Sequence, residues 1–554
     1  MKTGFPSIDK LHLQGIPEGK LNPEILPVSI LATFLQVNGE HLDEIAIEYG
    51  DKKWTKQMVR DSAIRIAGLF LAHGISAGDK IAIALPNCFE GIALTMGANA
   101  IGVQIVYLNY ELCAKDLLPD LKKHQPKILF TWKIFCTDLP EVDRGKTRIV
   151  CLEPQDPLPK VENLDEEEYI SFEEFCQKRV DMKVTFDEIQ KYSMNERIAI
   201  YLQTSGSTSG KPKTLPFTNS AIFASLIFAS NSTGTKTRDA SVSRVLCIIP
   251  YRLPYGWMTL FVNLMGGNTV ILAPGATPEA IGEYYKLKPS YIYGTPVIFK
   301  TFMEETPRDA DLSSVTAFFC SGFSIPEEWY TEGQEYFARH NSHAEIRNNY
   351  GIGEGLCIGT ASDGVRHKPG TCGKFYVGPE WLIVDDDFKE VKYGEIGELV
   401  VSSPSLCHGY FGDSEATKDA FFVFNSKRFY RTGDFVSLAE DGYVTFHGRK
   451  KRFYQPKGAT DKVNCETIEK ALSKSELVNQ NAVTIIKDAD GFETSKAFVV
   501  LNFEYMDVDY AEKTLREFLS ESLLDYQMPN KIVFIDEIPM MGSGKVDYIK
   551  LQTL

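Results

Sequence analysis

Between the apolar run Ile198-Ala199-Ile200-Tyr201-Leu202 and Pro212, eight residues from Thr204 to Lys211 carry no large apolar side chain. Thr204, Ser205, Gly206, Ser207, Thr208, Ser209 and Gly210 leave backbone N–H groups and hydroxyls free to surround an anion. Lys211 and Lys213 add positive charge. Pro212 cannot sit in a following central strand, so the stretch is expected to remain a loop. The chemistry this combination offers is the gripping of a polyphosphate. A Walker A loop fits poorly, because it needs four residues between its glycines and a Ser or Thr after its Lys. Here three residues separate Gly206 from Gly210, and Pro212 follows Lys211. A plain Ser/Gly linker stays open for this stretch alone.

Further residues follow in a telling order: Ser321-Gly322-Phe323, Asn348-Asn349-Tyr350-Gly351-Ile352-Gly353-Glu354, Tyr430-Arg431-Thr432-Gly433-Asp434, Gly448-Arg449-Lys450-Lys451, Gly458, and Pro539 through Gly544-Lys545. Taken singly, these read as a glycine-rich turn, a turn Asp after Gly, and a basic surface run. With the loop, the series resembles the AMP-forming adenylating superfamily: acyl- and aryl-CoA synthetases, standalone adenylation domains and luciferases. That family's loop runs Ser-Gly-Ser/Thr-Thr-Gly-x-Pro-Lys-Gly. This chain has an extra Ser209, and Thr214 stands where the last Gly is usual. The resemblance covers the chain from about residue 45 to the end.

The resemblance implies roles. Residues 204–211 and Lys213 would hold the ATP phosphates. Ser321, Gly322, Phe323, Asn348, Asn349, Tyr350 and Gly351 would flank adenine. Asp434 would accept hydrogen bonds from both ribose hydroxyls, a task suited to an acceptor-only carboxylate with four lone-pair sites. Arg449 would reach ribose or phosphate, and Lys451 would be the hinge pivot. Glu354 would bind Mg²⁺, which neutralises triphosphate charge. Lys545 would be the adenylation lysine, and Gly458 would line the tunnel for the incoming thiol. The departures are Gly353 in place of Thr, Met541 in place of Thr, and the Ser209 insertion.

The implied reaction has two halves. A carboxylate attacks the α-phosphorus of ATP to give an acyl-adenylate and pyrophosphate, and a thiol then takes the acyl group. The thiol is expected to be coenzyme A, with a separate carrier protein's phosphopantetheine as the alternative. For the acid, Tyr251, Arg252, Leu253, Tyr255, Gly256 and Gly353 are the candidate acyl-pocket residues. No Asp occurs between Ile249 and Asn263 to hold an α-ammonium, which argues against an amino acid and leaves an aromatic or medium acyl acid. A nucleotide-binding pseudoenzyme is the competing reading, motivated by Gly353, Ser209 and Met541. Glu354, Asp434, Arg449 and Lys545 argue for catalysis.

The elements that must position these residues alternate. Helical apolar spacing joins Ala63, Ile66, Ala67, Phe70 and Leu71. Strands at 80–85, 103–108 and 127–131 are separated by helices at 89–99 and 117–124, the βαβ pattern of a parallel sheet with helices on its faces. Residues 155–190 read as acidic, irregular surface. Glycines after 364 lead into an antiparallel region with strands at 381–384, 397–402 and 443–446. The expected class is α/β: a large N-terminal adenylation domain over residues 1–447, with parallel-type sheets and a small antiparallel region. A hinge at 448–452 and a mobile α+β lid domain at 453–554 complete it.

The 554 residues can bury a large core and should divide into at least two domains. Hydrophobic content of 44% and charged content of 24% are ordinary for a globular chain. A net charge of −15 argues against nucleic-acid partners and anionic membranes. Eleven scattered cysteines without a CxxC pair indicate neither zinc nor a disulfide framework, and a reducing cytoplasm fits. No eighteen-residue apolar run predicts a membrane span.

Overall fold

The computed structural model describes residues 3–14, 24, 29–112, 114–132, 146–152, 170–178, 196–204, 212–233, 242–273, 275–322, 325, 327–361, 368–456, 462–488, 492–502, 507–540 and 546–554. Two seven-stranded sheets form most of it. In the first, the strand order is Glu345–Asn349, Ala317–Ser321, Tyr291–Gly294, Arg244–Cys247, Thr269–Leu272, Ile45–Tyr49 and Lys52–Thr55. In the second it is Ile170–Ser171, Arg148–Leu152, Ile128–Trp132, Lys80–Ala84, Gln104–Tyr107, Ile198–Gln203 and Thr214–Thr218. Only the last pair of each sheet is antiparallel. The rest are parallel, so the chain returns through helices that cover the sheet faces.

The helix Phe89–Ala100 is buried along its length beyond the first two residues. Its small and apolar side chains on every side place it inside rather than at the surface. It lies in one continuous core that joins Ile81 and Ile83 of the second sheet to Val245, Cys247 and Val270 of the first. Alternation along the strands sends Leu246, Ile292 and Phe318 to the opposite face, under Phe299, Phe302 and Tyr336. The second sheet does the same with Ala82, Val106 and Tyr201, covered by Leu117 and Leu121.

A five-stranded antiparallel sheet follows, built from Glu380–Val384, Gly397–Ser402, Phe421–Phe424, Lys427–Leu438 and Val444–Arg449. Beyond it, Val478–Lys487 and Glu493–Leu501 pair antiparallel, and Lys531–Phe534 adds a parallel edge. The helices Cys465–Leu472 and Val508–Ser520 pack on one face of this sheet, with Ile468, Leu472, Val483, Val499, Leu515 and Leu519 in a core of their own. The fold is α/β with parallel sheets, an antiparallel region and an α+β C-terminal part.

Two elements differ from the sequence reading. Within 155–190, taken as irregular, the described residues form the strand Ile170–Ser171 and the helix Phe172–Gln177. A capping box between Ser171 and Glu174 starts that helix, and Phe175 buries fully under the second sheet. The segment that carries Tyr430 to Asp434 lies in a twelve-residue strand, Lys427–Leu438. Gly433 sits there at φ +70, and register shifts beside it absorb the irregularity. Among the described residues, no helix is long and apolar enough to cross a membrane.

Candidate active site

Asp434 and Arg449 face each other across paired strands. The Asp434 side chain is buried, and its Oδ1 lies 2.8 Å from Arg449 Nε. Tyr350, which follows the strand Glu345–Asn349, donates its hydroxyl to Asp434 Oδ2 at 2.5 Å. The Asp434 amide donates to Thr432 Oγ1 at 3.0 Å. Asp434 holds the Arg449 guanidinium charged above its ordinary range. Burial, followed by the neighbouring carboxylate, pushes the Tyr350 phenol upward, so it remains a donor.

Glu354 sits in the turn Gly353–Gly355. Its Oε1 accepts from the Tyr410 hydroxyl at 2.8 Å, and its carbonyl accepts from the Cys407 amide at 2.7 Å. Lys213 Nζ stands 4.1 Å from the centre of the Tyr410 ring. Thr204 and Lys213 close the base of the polar loop, with Thr204 N donating to Lys213 O and Lys213 N to Thr204 Oγ1, each at 2.9 Å. The loop base is thereby held beside Glu354 through one tyrosine ring. Mg²⁺ takes one or two carboxylates and fills its octahedron with other oxygens and water, so a single positioned carboxylate beside the base of the polar loop fits it.

A cavity of about 50 Å³ adjoins this cluster. The helix Pro254–Met265 lines it with Tyr255, Met258, Thr259 and Val262, the i, i+3, i+4, i+7 positions of one face. Tyr293, Phe319, Ser321 and Asn349 line it from the carboxyl ends of three adjacent parallel strands. That end of a parallel sheet is where ligands bind in such folds. Tyr350 lines it as well, so one residue touches both the cavity and Asp434.

The sequence-derived residues are not all gathered here. Asn348 is buried, and its amide donates to the Thr371 carbonyl at 3.2 Å. Gly322 adopts φ +106 just beyond Ser321. Of the acyl-pocket candidates, Tyr255 lines the cavity. Tyr251 is instead packed edge-on against Tyr107, and Arg252 reaches toward Glu111 at 3.6 Å. Leu253 caps the helix, and a Cβ on Gly256 would meet the Pro250 carbonyl at 2.2 Å. Gly353 lies against Pro254 and Leu215. Lys451 is exposed between Lys450, bonded to Glu398 and Asp386, and Arg452, bonded to Glu469 and the Val483 carbonyl. Residues 205–211, Phe323, Gly458 and Lys545 lie outside the described residues. Sequence reasoning missed Met258, Tyr293, Phe319 and Tyr376 as cavity residues. Helical spacing from Tyr255 and strand ends preceding Ser321 and Asn349 could have found the first three.

Comparison with known proteins points the same way. The model of the AMP-binding enzyme family matches residues 34–411, and that of the AMP-binding enzyme C-terminal domain matches 467–545. The chain is 25% identical over 532 residues to a long-chain-fatty-acid–CoA ligase of Bacillus subtilis (strain 168), covering 91% of this chain and 90% of that one. It is 26% identical over 371 residues to a D-alanine–D-alanyl carrier protein ligase of Streptococcus pneumoniae (strain P1031), covering 63% and 69%. A solved anthranilate CoA ligase in complex with anthranoyl-AMP superposes with a TM-score of 0.79 at 20% identity, covering 95% and 97% of the two chains. With the motif series and these matches together, the chain belongs to the AMP-binding enzyme family.

Proposed function

We propose that this chain activates a carboxylic acid with ATP, releases pyrophosphate, and passes the acyl group to a thiol, coenzyme A in the first instance. The carrying observation is Tyr350, whose ring borders the cavity while its hydroxyl bonds Asp434. An acid in the cavity would then lie beside a nucleotide whose ribose is held at Asp434. Ribose hydroxyls would share that carboxylate with Arg449 and Tyr350, which keep it aimed. The Tyr410 hydroxyl orients Glu354, the residue that would hold Mg²⁺. A bound Mg²⁺ would offset the phosphate charge that repels the attacking carboxylate. Thr204, Ser205, Gly206, Ser207, Thr208, Ser209, Gly210, Lys211 and Lys213 are assigned to the phosphates. Ser321, Gly322, Phe323, Asn348 and Gly351 are assigned to the adenine side, while Asn349, placed there by the motif alone, lines the cavity and is assigned to the acid. Lys545 is assigned to the reacting oxygens, where positioned positive charge lowers the barrier.

The division we propose is residues 1–447, a hinge at 448–452 and a lid at 453–554. Its support is the separate C-terminal core and the opposite anchoring of Lys450 and Arg452 about Lys451. Rotation there would exchange Lys545 for the Gly458 side, where the thiol enters. A reducing, cytoplasmic setting accords with the nine described cysteines, all of which are free thiols. The similarity to a carrier protein ligase favours one second reading, in which the acceptor is phosphopantetheine on a separate carrier. ATP–pyrophosphate exchange across a panel of acids tests the first half. Thioester formation with coenzyme A against a phosphopantetheinylated carrier tests the second. ATP binding with no exchange for any acid would leave only a nucleotide-binding protein.

A further inference from the structure

The cavity beside Tyr350 has walls and unanswered polar atoms that restrict what it can hold. Tyr293 and Phe319 stack with centroids 4.5 Å apart and planes 6° from parallel. With Tyr255, Met258 and Val262, they enclose only about 50 Å³. Any carboxylic acid would ask this lining to shift, and a flat, short molecule asks for less movement than an extended acyl chain, at the cost that overpacking carries. Among the described lining residues there is no Asp, Glu, Lys, Arg or His. Arg347 lies over the Phe319 ring at 5.1 Å, but its Nη2 is paired with Glu345 at 2.8 Å. A second charge on the substrate would therefore be desolvated without a partner.

The polar atoms divide into two sets. Tyr255 donates to the Gly294 and Phe319 carbonyls, and Thr259 donates to the Tyr255 carbonyl at 3.0 Å. These are satisfied within the protein. The Asn349 Oδ1 atom is buried and has no hydrogen-bond partner among the described residues. The Tyr376 hydroxyl has no hydrogen-bond partner among the described residues. Burial raises the Tyr376 pKa, and its neighbours Tyr293 and Cys357 raise it further, so the group is a protonated donor. A hydrocarbon in the cavity would leave both groups unmet, which is unfavourable in a desolvated site.

We infer that the acid is a compact aromatic carboxylic acid carrying a neutral hydrogen-bonding ring substituent, a hydroxyl or an amino group, selected by Tyr376 and Asn349. This rests on the adenylation reading given above. A site built to pair a polar substituent discriminates strongly against the analogue that lacks it, because its own groups are then stranded. The satisfied hydroxyls of Tyr255 and Thr259 serve the walls, leaving Tyr376 and Asn349 to read the ring.

The test is pyrophosphate exchange by the full chain with the ring isomers of hydroxybenzoate and aminobenzoate, set against benzoate, octanoate, adipate and phenylalanine. At least one substituted benzoate should exceed benzoate by about tenfold or more in kcat/KM. Octanoate, adipate and phenylalanine should fall below both. Tyr376→Phe and Asn349→Ala should each bring the substituted-to-unsubstituted ratio toward one. Thermal unfolding and ATP titration show whether each variant is folded. Met258→Ala, in the wall formed by the helix Pro254–Met265, should admit bulkier substituted benzoates that the parent rejects. Preference for octanoate, adipate or phenylalanine would overturn the inference while leaving adenylation standing. So would a ratio that neither Tyr376→Phe nor Asn349→Ala changes. Absence of exchange with every acid, in a chain that binds ATP, would overturn the adenylation reading and this inference with it.

Discussion

Replacing Asp434 with alanine separates two quantities that the structure ties to one carboxylate. The side chain is buried and meets the Tyr350 hydroxyl at 2.5 Å and Arg449 Nε at 2.8 Å. The Arg449 side chain is 44% exposed, so its ion pair contributes about 1 kcal/mol or less. The Tyr350 bond to a buried charged acceptor contributes about 1.5–3 kcal/mol. The folded state should therefore lose about 2–4 kcal/mol. If ribose binds here, ATP loses a charged acceptor as well. That loss of about 1.5–3 kcal/mol corresponds to a Kd raised roughly ten- to 150-fold. Tyr350→Phe is the control, since it removes the same internal bond yet leaves the carboxylate for ribose. Its stability loss should be of similar size and its ATP affinity should fall less. Urea denaturation and calorimetric titration with ATP measure both quantities for the three proteins. An Asp434→Ala protein that is destabilised yet binds ATP like the parent would refute the ribose assignment.

Lys545→Ala should abolish pyrophosphate exchange while thiolysis of supplied acyl-adenylate continues; equal loss in both assays would remove the lysine from the adenylation step. Lys451→Pro should keep exchange and lose thioester formation, because proline fixes φ between the Lys450 and Arg452 anchors. Normal rates in both half-reactions would place the pivot elsewhere. His124 is buried between Tyr201 and Phe411, and neither ring nitrogen has a hydrogen-bond partner among the described residues. Burial, with Lys80 and Lys123 nearby, lowers its pKa from 6.5 to about 3. The unfolded chain then binds the extra proton first, so stability present above pH 6.5 is lost as pH falls toward about 3. His124→Phe should remove that loss. Its stability relative to the parent, from denaturant melts, should rise by about 2 kcal/mol between pH 7 and pH 5. A pH-independent difference would count against a buried neutral imidazole.

The motifs that carry the family resemblance were legible because each is local. The spacing of Ser, Thr and Gly from Thr204 to Gly210, the order of Tyr430 to Asp434, and the lysine after Gly544 each lie within a few residues. Alternating apolar strands and helices likewise betray a parallel sheet without any long-range information. The same local reading went astray where tertiary pairing overrides it. Gly433-Asp434, for which a turn is only the competing reading, is held in a long strand by strands on both sides. The acidic stretch around residue 170 conceals an edge strand and a helix fastened by Phe175.

What tertiary structure alone decided is which distant residues meet. Tyr350 and Asp434 are 84 positions apart and share one hydrogen bond. Tyr410 and Glu354 are 56 apart. The cavity takes one helix face and three strand ends, and register chooses which side chains of those strands face it. A one-residue slip would turn Phe319 and Asn349 to the other face of the sheet. The sequence by itself supplied the groups proposed for the chemistry: a Ser/Thr/Gly loop for phosphates, Asp434 for ribose, Glu354 for the metal and Lys545 for the reacting oxygens. It could not determine the shape of the cavity proposed for the acid, because that shape is set by the packing of helix on sheet and by the strand register that the buried core imposes.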